Sequence, residues 1–205
     1  MVPADDARRR HLVFATRNRG KVAELVDLLR PTPWTVETMP SEVEEYPETG
    51  DTFAANARGK ALHAAAVLDV PVLADDSGLQ IDALDGAPGV RSARYIDPHF
   101  TPEERNGAVL NELVAVPEDE RGARFVCHLV LAYRGALVHE TVGTCEGRIG
   151  HEPRGEGGFG YDPIFVVPEL DATFAEISRA DKSARSHRGR AVRQMVDFLR
   201  SWEPA

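Results

Sequence analysis

Two adjacent carboxylates, Asp75 and Asp76, are the residues of this chain whose type and position most clearly suggest chemistry. They follow the apolar run 71–74, which predicts a short buried strand. Burying a carboxylate is costly unless it is paired or bound to a metal, and ligands of α/β proteins bind beyond the carboxyl ends of strands. We therefore predict that the strand ends at Ala74 and that the acids, with Ser77, lie at the mouth of a cleft. The alternative is an Asx-type turn that caps the strand.

A second polar segment separates a first predicted strand from a first predicted helix. It consists of Thr16, Arg17, Asn18, Arg19, Gly20 and Lys21. Such a turn can present backbone N–H groups and an ammonium to phosphate at a helix N-terminus, although the spacing of a Walker loop is absent. An ordinary helix cap at Asn18 is the alternative. We expect Lys21 to be an exposed point charge that contributes little to folding.

An acidic loop and the helix after it contain further groups of this kind. Glu48 lies in the loop 44–50 and could supply an oxygen ligand to Mg²⁺, or the loop could be a solvated acidic surface. Asn56 and Lys60 are four residues apart and so share one helix face. They could reach a ligand or simply face water.

The segment 155–163 is rich in glycine and contains the pattern G-x-G-x-x-G. A dinucleotide-binding loop requires a helix after it, but residues 164–167 read as a strand, so that interpretation is rejected. Phe159 could instead stack on a base, or it could be tucked into the core. Gly160, Tyr161 and Asp162 follow it directly.

A basic cluster lies near the C-terminus. Lys182, His187 and Arg188 precede or begin the last predicted helix, where donors favour an anion or a carbonyl acceptor. A solvated basic cap is the alternative. No spacing in the chain specifies a Ser-His-Asp nucleophile, and the G-x-S-x-G elbow is absent.

The elements that must position these groups follow from hydrophobic periodicity and capping signals. Strands are predicted over 11–15, 34–39, 71–74, 124–133, 136–145 and 164–167, and helices over 18–30, 52–68, from 101 onward and over 186–202; residues 77–100 are predicted to be irregular. Strands alternate with helices, but a long hairpin interrupts the pattern. A mixed sheet in an α/β protein is therefore predicted.

Composition sets the remaining limits. A net charge of −9 over 205 residues argues against binding to a nucleic acid polymer. The two cysteines are too few for a disulfide scaffold, and no apolar run has the length of a membrane helix. We expect a cytoplasmic protein with no membrane partner, a flexible N-terminal tail over 1–10 and a single two-lobed domain over 11–202.

Taken together, these segments resemble a known family, the non-canonical purine NTP pyrophosphatases (inosine triphosphatase or XTP/dITP diphosphatase family). The resemblance runs from about residue 11 to residue 199. It is carried by the motifs T-x-N-x-x-K at 16–21, ETG at 48–50, ADDSGL at 74–79, GAPG at 86–89 with SARY at 92–95, residues 157–165, and KS at 182–183 with SHRG at 186–189.

The resemblance implies an elongated two-lobed fold with a long mixed β-sheet flanked by helices, and a homodimer. It implies cleavage of purine nucleoside triphosphates such as ITP, dITP and XTP to the monophosphate and pyrophosphate with Mg²⁺. Asp76 would be catalytic and anchor the metal with Glu48 and Asp75. Phosphate-binding roles are implied for Thr16, Asn18, Lys21 and Lys60, and nucleoside-site roles for Ser77, Phe159, Gly160, Tyr161, Asp162, Lys182, His187 and Arg188. Arg17, Arg19 and Gly20 belong to the same phosphate-binding turn and are included among the substrate-binding residues.

Two other functions remain open. The same phosphate chemistry would serve a related pyrophosphatase acting on other modified bases, with a different base pocket. A nucleotide sensor that does not hydrolyse its ligand would have no need of an acid at Asp76, so turnover separates the two classes.

Overall fold

The computed structural model describes residues 10–30 and 32–204. The predicted N-terminal tail lies outside these residues, except for Arg10, which begins the first strand. The strands are β1 Arg10–Phe14, β2 Trp34–Thr38, β3 Val72–Ile81, β4 Gly122–Tyr133, β5 Ala136–Ile149, β6 Phe165–Val167 and β7 Ala172–Thr173. The helices are α1 Arg19–Leu29, α2 Phe53–Ala65, α3 Pro102–Glu112, α4 Arg179–Arg185 and α5 His187–Leu199.

The seven strands form one sheet in the order β2-β1-β3-β4-β5-β6-β7. Strand β1 pairs in parallel with both β2 and β3, whereas β5 with β6 and β6 with β7 are antiparallel pairs. The mixed sheet of an α/β protein is thus confirmed. Arg134 and Gly135 join β4 to β5 with positive φ angles of 49° and 70°, as a two-residue hairpin turn of type I′ requires.

Local capping explains where the helices begin. Asn18 accepts hydrogen bonds from the N–H groups of Gly20 and Lys21 at the start of α1, and Thr52 caps α2. Thr101 and Glu104 form the reciprocal capping box of α3. These bonds satisfy amides that have no partner within the helix, so the sequence signals placed three helix starts correctly.

The chain divides into two compact units. The first contains the described residues up to Asp76, His128–Val142 and the residues from Gly189 onward; the second contains Ser77–Cys127 and Gly143–Arg188. Each unit has its own apolar core. The core of the first unit is built around alanines of α2 packed with strand residues such as Val72 and Val130, and that of the second unit includes Phe125, Phe165 and Phe174.

The predicted end of β3 is wrong. The strand runs unbroken from Val72 to Ile81, so Asp75, Asp76 and Ser77 lie within it and form no capping turn at Ala74. The prediction assumed that acids would leave the sheet, whereas ion pairs compensate their burial, as described below. Only the residues beyond Ile81 are irregular, with short 3₁₀ segments at Asp82–Leu84 and Gly89–Arg94.

The helical structure near the C-terminus also differs from the prediction. The segment treated as a basic connection contains α4, whose N-terminus is capped by Ser178 through a hydrogen bond from the Asp181 N–H. A helix of seven residues is too short to show a periodic apolar stripe, so the sequence pattern did not reveal it. Helix α5 then begins at His187. Among the described residues, none of the helices has the length and apolar character needed to cross a bilayer.

Candidate active site

Five charged side chains lie close together in the first unit, near Asp75 and Asp76 of β3. Lys60 Nζ lies 2.6 Å from Glu48 Oε1 and 3.7 Å from Asp76 Oδ1, and Lys21 Nζ lies 3.0 Å from Asp75 Oδ1. Three carboxylates therefore share two ammonium groups, which leaves one formal negative charge in excess. We call these five residues the charged cluster.

Asp76 is held by more than its ion pair. Its Oδ2 accepts a hydrogen bond of 2.9 Å from Asn56 Nδ2, and Asn56 is itself fixed by bonds to the backbone N–H and C=O of Gly50. Asn56 is completely buried on α2, so the Asp76 carboxylate has a defined orientation. Of the two options for Asn56, contact with the site is observed and exposure to water is not.

Burial and charge act in opposite directions on Asp76. Burial raises the pKa of its carboxyl group above the ordinary value, and Glu48 adds to this, whereas Lys60, the Asn56 hydrogen bond and Lys21 lower it; the net pKa is raised. For Lys60, burial lowers the pKa, but the negative charges of Asp75, Asp76 and Glu48 outweigh it and the net pKa is raised. Lys60 therefore stays protonated at neutral pH, and Asp76 is a stronger base than an exposed aspartate.

Lys21 is not the exposed charge that the sequence predicted. Its side chain is 15% exposed and pairs with an Asp75 side chain that is 0% exposed. Removing Lys21 would leave Asp75 as a buried charge without this partner, so the reason for expecting a small contribution of Lys21 to folding, its exposure to solvent, does not hold. Because Asp75 is shielded from solvent, the structure presents it first as the counter-ion of Lys21.

The turn before α1 is a helix cap, as the alternative interpretation proposed. Thr16 Oγ1 accepts from the Asn18 N–H at 3.2 Å, and Asn18 Oδ1 accepts from Gly20 and Lys21. Arg17 pairs with Glu45 at 3.1 Å, and the Arg19 side chain is exposed. The amides of Gly20 and Lys21 are thus engaged by Asn18, and the cationic side chains of the turn remain the groups suited to phosphate.

The donor atoms of the charged cluster fit Mg²⁺ in kind. Magnesium is bound by one or two carboxylates together with substrate phosphate oxygens and water, and seldom by a cage made of protein alone. Glu48 and Asp76 both lie within 4 Å of the Lys60 ammonium group, so their carboxylates share one cation, and the excess negative charge favours binding of a second. Within residues 10–30 and 32–204, no group of three His, Cys, Asp or Glu side chains is arranged as a metal site.

The second unit holds the predicted nucleoside-site residues. Phe159 is partly buried, with Lys182 Nζ 4.5 Å and the Arg188 guanidinium carbon 5.7 Å from its ring centroid. Lys182 Nζ also lies 2.6 Å from Asp162 Oδ2. Cations over an aromatic face are attracted by its negative quadrupole, so they hold the Phe159 ring in place.

Other predicted members of this group make defined contacts. Arg188 Nη2 donates to Ser77 Oγ at 2.9 Å, and the His187 ring stacks on Phe125 with centroids 4.7 Å apart. Tyr161 donates its hydroxyl proton to the Ser92 carbonyl at 2.9 Å. The basic cluster of the second unit is therefore not a solvated cap, because Lys182, His187 and Arg188 are all buried.

The fold and the two groups of polar residues define an α/β protein with a carboxylate–lysine cluster suited to a metal and phosphate. Comparison with known proteins identifies the family. Residues 12–198 match the model of the Ham1 family, and the chain belongs to that family. The proposed resemblance is confirmed.

Individual relatives agree with this assignment. A dITP/XTP pyrophosphatase of Gloeobacter violaceus is 49% identical over 189 residues, covering 91% of this chain and 93% of the relative. A second, from Thermus thermophilus, is 46% identical over 94% of this chain and 93% of its own. Among solved structures, a HAM1 protein from Coxiella burnetii has a TM-score of 0.85 and 43% identity, covering 93% of this chain and 98% of that one.

Proposed function

We propose that the chain is a nucleoside-triphosphate pyrophosphatase that hydrolyses ITP, dITP and XTP to the monophosphate and pyrophosphate. Family membership and dITP/XTP pyrophosphatase relatives at nearly half identity support the reaction class. The single structural observation that carries the proposal is that Lys60 Nζ lies within 4 Å of the carboxylates of both Glu48 and Asp76. Phosphoryl-transfer sites need cations to balance a dense anion and a carboxylate to orient water, and this cluster supplies both.

In this proposal each residue of the charged cluster has a separate task. Asp76, with its raised pKa, orients the attacking water and accepts its proton, while Asn56 keeps the carboxylate in one orientation. Lys60 and Lys21 offer positive charge to the phosphates, and Asp75 fixes the position of Lys21. Mg²⁺, when bound by Asp76 and Glu48, would neutralise charge that develops on the phosphate oxygens.

In the second unit, Phe159 supplies a ring on which a purine can stack. Stacking does not distinguish one purine from another, so selection requires groups that read the base edge. Arg188 and Lys182 are donors, and a donor suits the 6-carbonyl of hypoxanthine and xanthine better than the 6-amino group of adenine. Both donors have partners, Lys182 the carboxylate of Asp162 and Arg188 the hydroxyl of Ser77. Because a carboxylate holds a cation more strongly than a neutral hydroxyl does, Arg188 is the stronger candidate for a base reader.

The deciding experiment offers the purified protein a panel of triphosphates that includes ITP, dITP, XTP, GTP, ATP and dUTP, each with Mg²⁺ or with EDTA. We expect pyrophosphate and monophosphate from the hypoxanthine and xanthine nucleotides only, and no product with EDTA. The Asp76→Asn variant serves as the inactive control and Glu44→Gln, exposed in the acidic loop, as the active one. Orthophosphate as the product, or turnover confined to a pyrimidine nucleotide, would overturn the proposal.

Binding of ITP without turnover would instead support a sensor. A homodimer, which the family resemblance implies, and a cytoplasmic location, which the composition favours, complete the proposal. Light scattering of the purified protein would test the oligomeric state directly, with a mass near 22.5 kDa for a monomer contradicting it.

A further inference from the structure

Asn106 occupies a core-facing position of helix α3. It is buried together with Val109, and Leu113 follows at the end of the helix. Spacings of three and four residues place all three on one stripe. Asn106 is only 4% exposed, and burying an amide at a position suited to an apolar side chain is unfavourable unless it forms hydrogen bonds. The bond that Asn106 makes therefore indicates why a polar residue is present.

That bond reaches the glycine-rich loop. Asn106 Nδ2 donates to the backbone carbonyl of Gly160 at 3.0 Å, while Asn106 Oδ1 has no hydrogen-bond partner among the described residues. The orientation of the amide is thus set by Gly160, because a reversed amide would bring two oxygens together. Gly160 directly follows Phe159 in the chain, so the bond fixes the Gly160–Tyr161 peptide, one residue beyond the aromatic ring.

The same segment is held from its other side. The Phe159 N–H donates to Asp162 Oδ2 at 2.7 Å. Gly158 and Gly160 flank Phe159 with φ angles of 72° and 65°, a region that glycine adopts without strain. Two such residues allow the backbone to reorient unless other groups restrain it. Asp162 and Asn106 restrain the backbone on the two sides of Phe159, in addition to the Asp162 N–H that donates to the Phe159 carbonyl and the two cations that face the ring.

We propose that Asn106 is a positioning residue that holds the Phe159–Gly160 segment so that the Phe159 ring is presented to the base of the substrate. The inference rests on the proposed function, since it takes Phe159 as the ring on which the purine stacks. Asn106 acts through the loop and belongs neither to the charged cluster nor to the groups that read the base.

The expected change in KM depends on the fraction of molecules whose glycine-rich loop is in the binding orientation. If only a fraction of the molecules holds the loop in the binding orientation, the apparent affinity falls by that fraction. Loss of the Asn106 bond is expected to raise KM for ITP about tenfold, equivalent to about 1.4 kcal/mol. The value of kcat should change less than twofold, because every residue of the charged cluster is retained.

The test uses Asn106→Ala and Asn106→Asp in the full chain, with Asn111→Ala as the matched control. Asn111 is on the same helix but exposed, so its replacement should leave KM unchanged. The Asp variant is nearly isosteric but cannot donate when ionised, whereas its protonated form can donate to the Gly160 carbonyl. Its KM, divided by that of Asn106→Ala at each pH, should therefore fall as the pH is lowered from 8 to 5.5.

Hydrogen exchange in the protein without nucleotide tests the restraint separately from catalysis. We expect faster exchange over residues 155–163 in Asn106→Ala than in Asn111→Ala.

If wild-type protein hydrolyses ITP but Asn106→Ala retains both KM and exchange protection, the positioning role is wrong and the proposed function stands. If the wild type hydrolyses no triphosphate, the proposed function fails, while the exchange comparison still decides whether Asn106 restrains the loop. Two results would assign Asn106 to stability and overturn the proposal. One is that kcat and KM change equally in both Asn106 variants and the KM of Asn106→Asp does not improve at low pH. The other is that both variants fail to fold.

Discussion

Lys21 Nζ lies 3.0 Å from Oδ1 of Asp75, whose side chain is completely shielded from solvent. This pair joins the first turn of α1 to the middle of β3. Removing one partner of a buried pair leaves the other charge in the interior with less compensation. Lys21, a residue suited to phosphate binding, therefore also contributes to the stability of its unit.

Lys21→Ala is predicted to destabilise the protein by about 3–5 kcal/mol. In a chain of this length, that corresponds to a fall in melting temperature of roughly 10 °C. Arg19→Ala, on the exposed side of the same helix turn, is the control and should leave the melting temperature within about 1 °C. Adding Asp75→Asn to Lys21→Ala should recover part of the loss, since a neutral amide is easier to bury than a carboxylate; equal melting temperatures for wild type and Lys21→Ala would contradict the assignment.

Asp76→Asn is predicted to separate activity from stability. The folded pKa of Asp76 is raised above its unfolded value, so ionisation of this group destabilises the folded state increasingly as the pH rises through that interval. The neutral variant should melt at or above the wild-type temperature at pH 8, while turnover falls on the order of a hundredfold or more. Calorimetry and pyrophosphate release measure the two effects, and a folded variant with near-normal turnover would remove Asp76 from the mechanism.

Arg121 is predicted to be a structural residue that lysine cannot replace. Its guanidinium is buried and donates to the backbone carbonyls of Leu113, Val116, Ile149 and Gly150. Burial lowers its pKa, but an arginine remains charged in proteins. A lysine carries its donors on one atom and cannot span this arrangement, so Arg121→Lys should cost about 1–3 kcal/mol for each carbonyl left unpaired.

The control for this prediction is Arg124, which lies on β4, the strand that follows Arg121. Arg124 pairs with Glu146 and is 39% exposed, so Arg124→Lys should change the unfolding free energy by less than about 0.5 kcal/mol. Chemical denaturation of both variants compares them directly. Similar midpoints for Arg121→Lys and wild type would show that the four carbonyls find other donors.

The parts of the fold that the sequence predicted correctly are those determined by neighbouring residues. Helices α1 and α3 begin where Asn18 and Thr101 supply a side-chain cap, and the hairpin turns at Arg134. The end of β3 was predicted wrongly because the partners that permit Asp75 and Asp76 to remain in a strand, Lys21 and Lys60, are distant in sequence. Local patterns carry no information about such compensation.

The same distinction applies to the candidate site. Charged residue types suggest a functional site by themselves, so the sequence predicted site roles for Glu48, Lys60 and Asp76. The structure brings these three residues together. Asn106 was missed because an asparagine within a helix carries no signal until the glycine-rich loop is known to pack against it. The weak signal that existed was a polar residue on the stripe shared with Val109 and Leu113.

Glu140 provides a prediction for stability at acid pH. Arg58 donates to both of its carboxylate oxygens and His128 lies 3.1 Å away, and the Arg58 hydrogen bonds in particular lower the pKa of Glu140. A lowered folded pKa gives stability that is present above the unfolded value, about 4.3, and lost as the pH falls through the folded pKa. Glu140→Gln should therefore lower the melting temperature at pH 7, and its difference from wild type should shrink as the pH falls below the unfolded value. A difference that stays constant with pH would rule out this linkage.

Arg188 provides the prediction for base choice. It is buried, donates to Ser77 Oγ and lies over the Phe159 ring, so its guanidinium is placed beside the ring proposed to carry the base. A donor facing a 6-amino group leaves mismatched buried groups, which costs about 1–3 kcal/mol per contact. Arg188→Ala should therefore narrow the ratio of kcat/KM for ITP over ATP about tenfold or more, while Arg185→Ala, on the partly exposed end of α4, should leave the ratio unchanged. If Arg188→Ala slows both substrates equally, Arg188 orders the Ser77 and Phe159 side chains without reading the base, and the discrimination must come from another group.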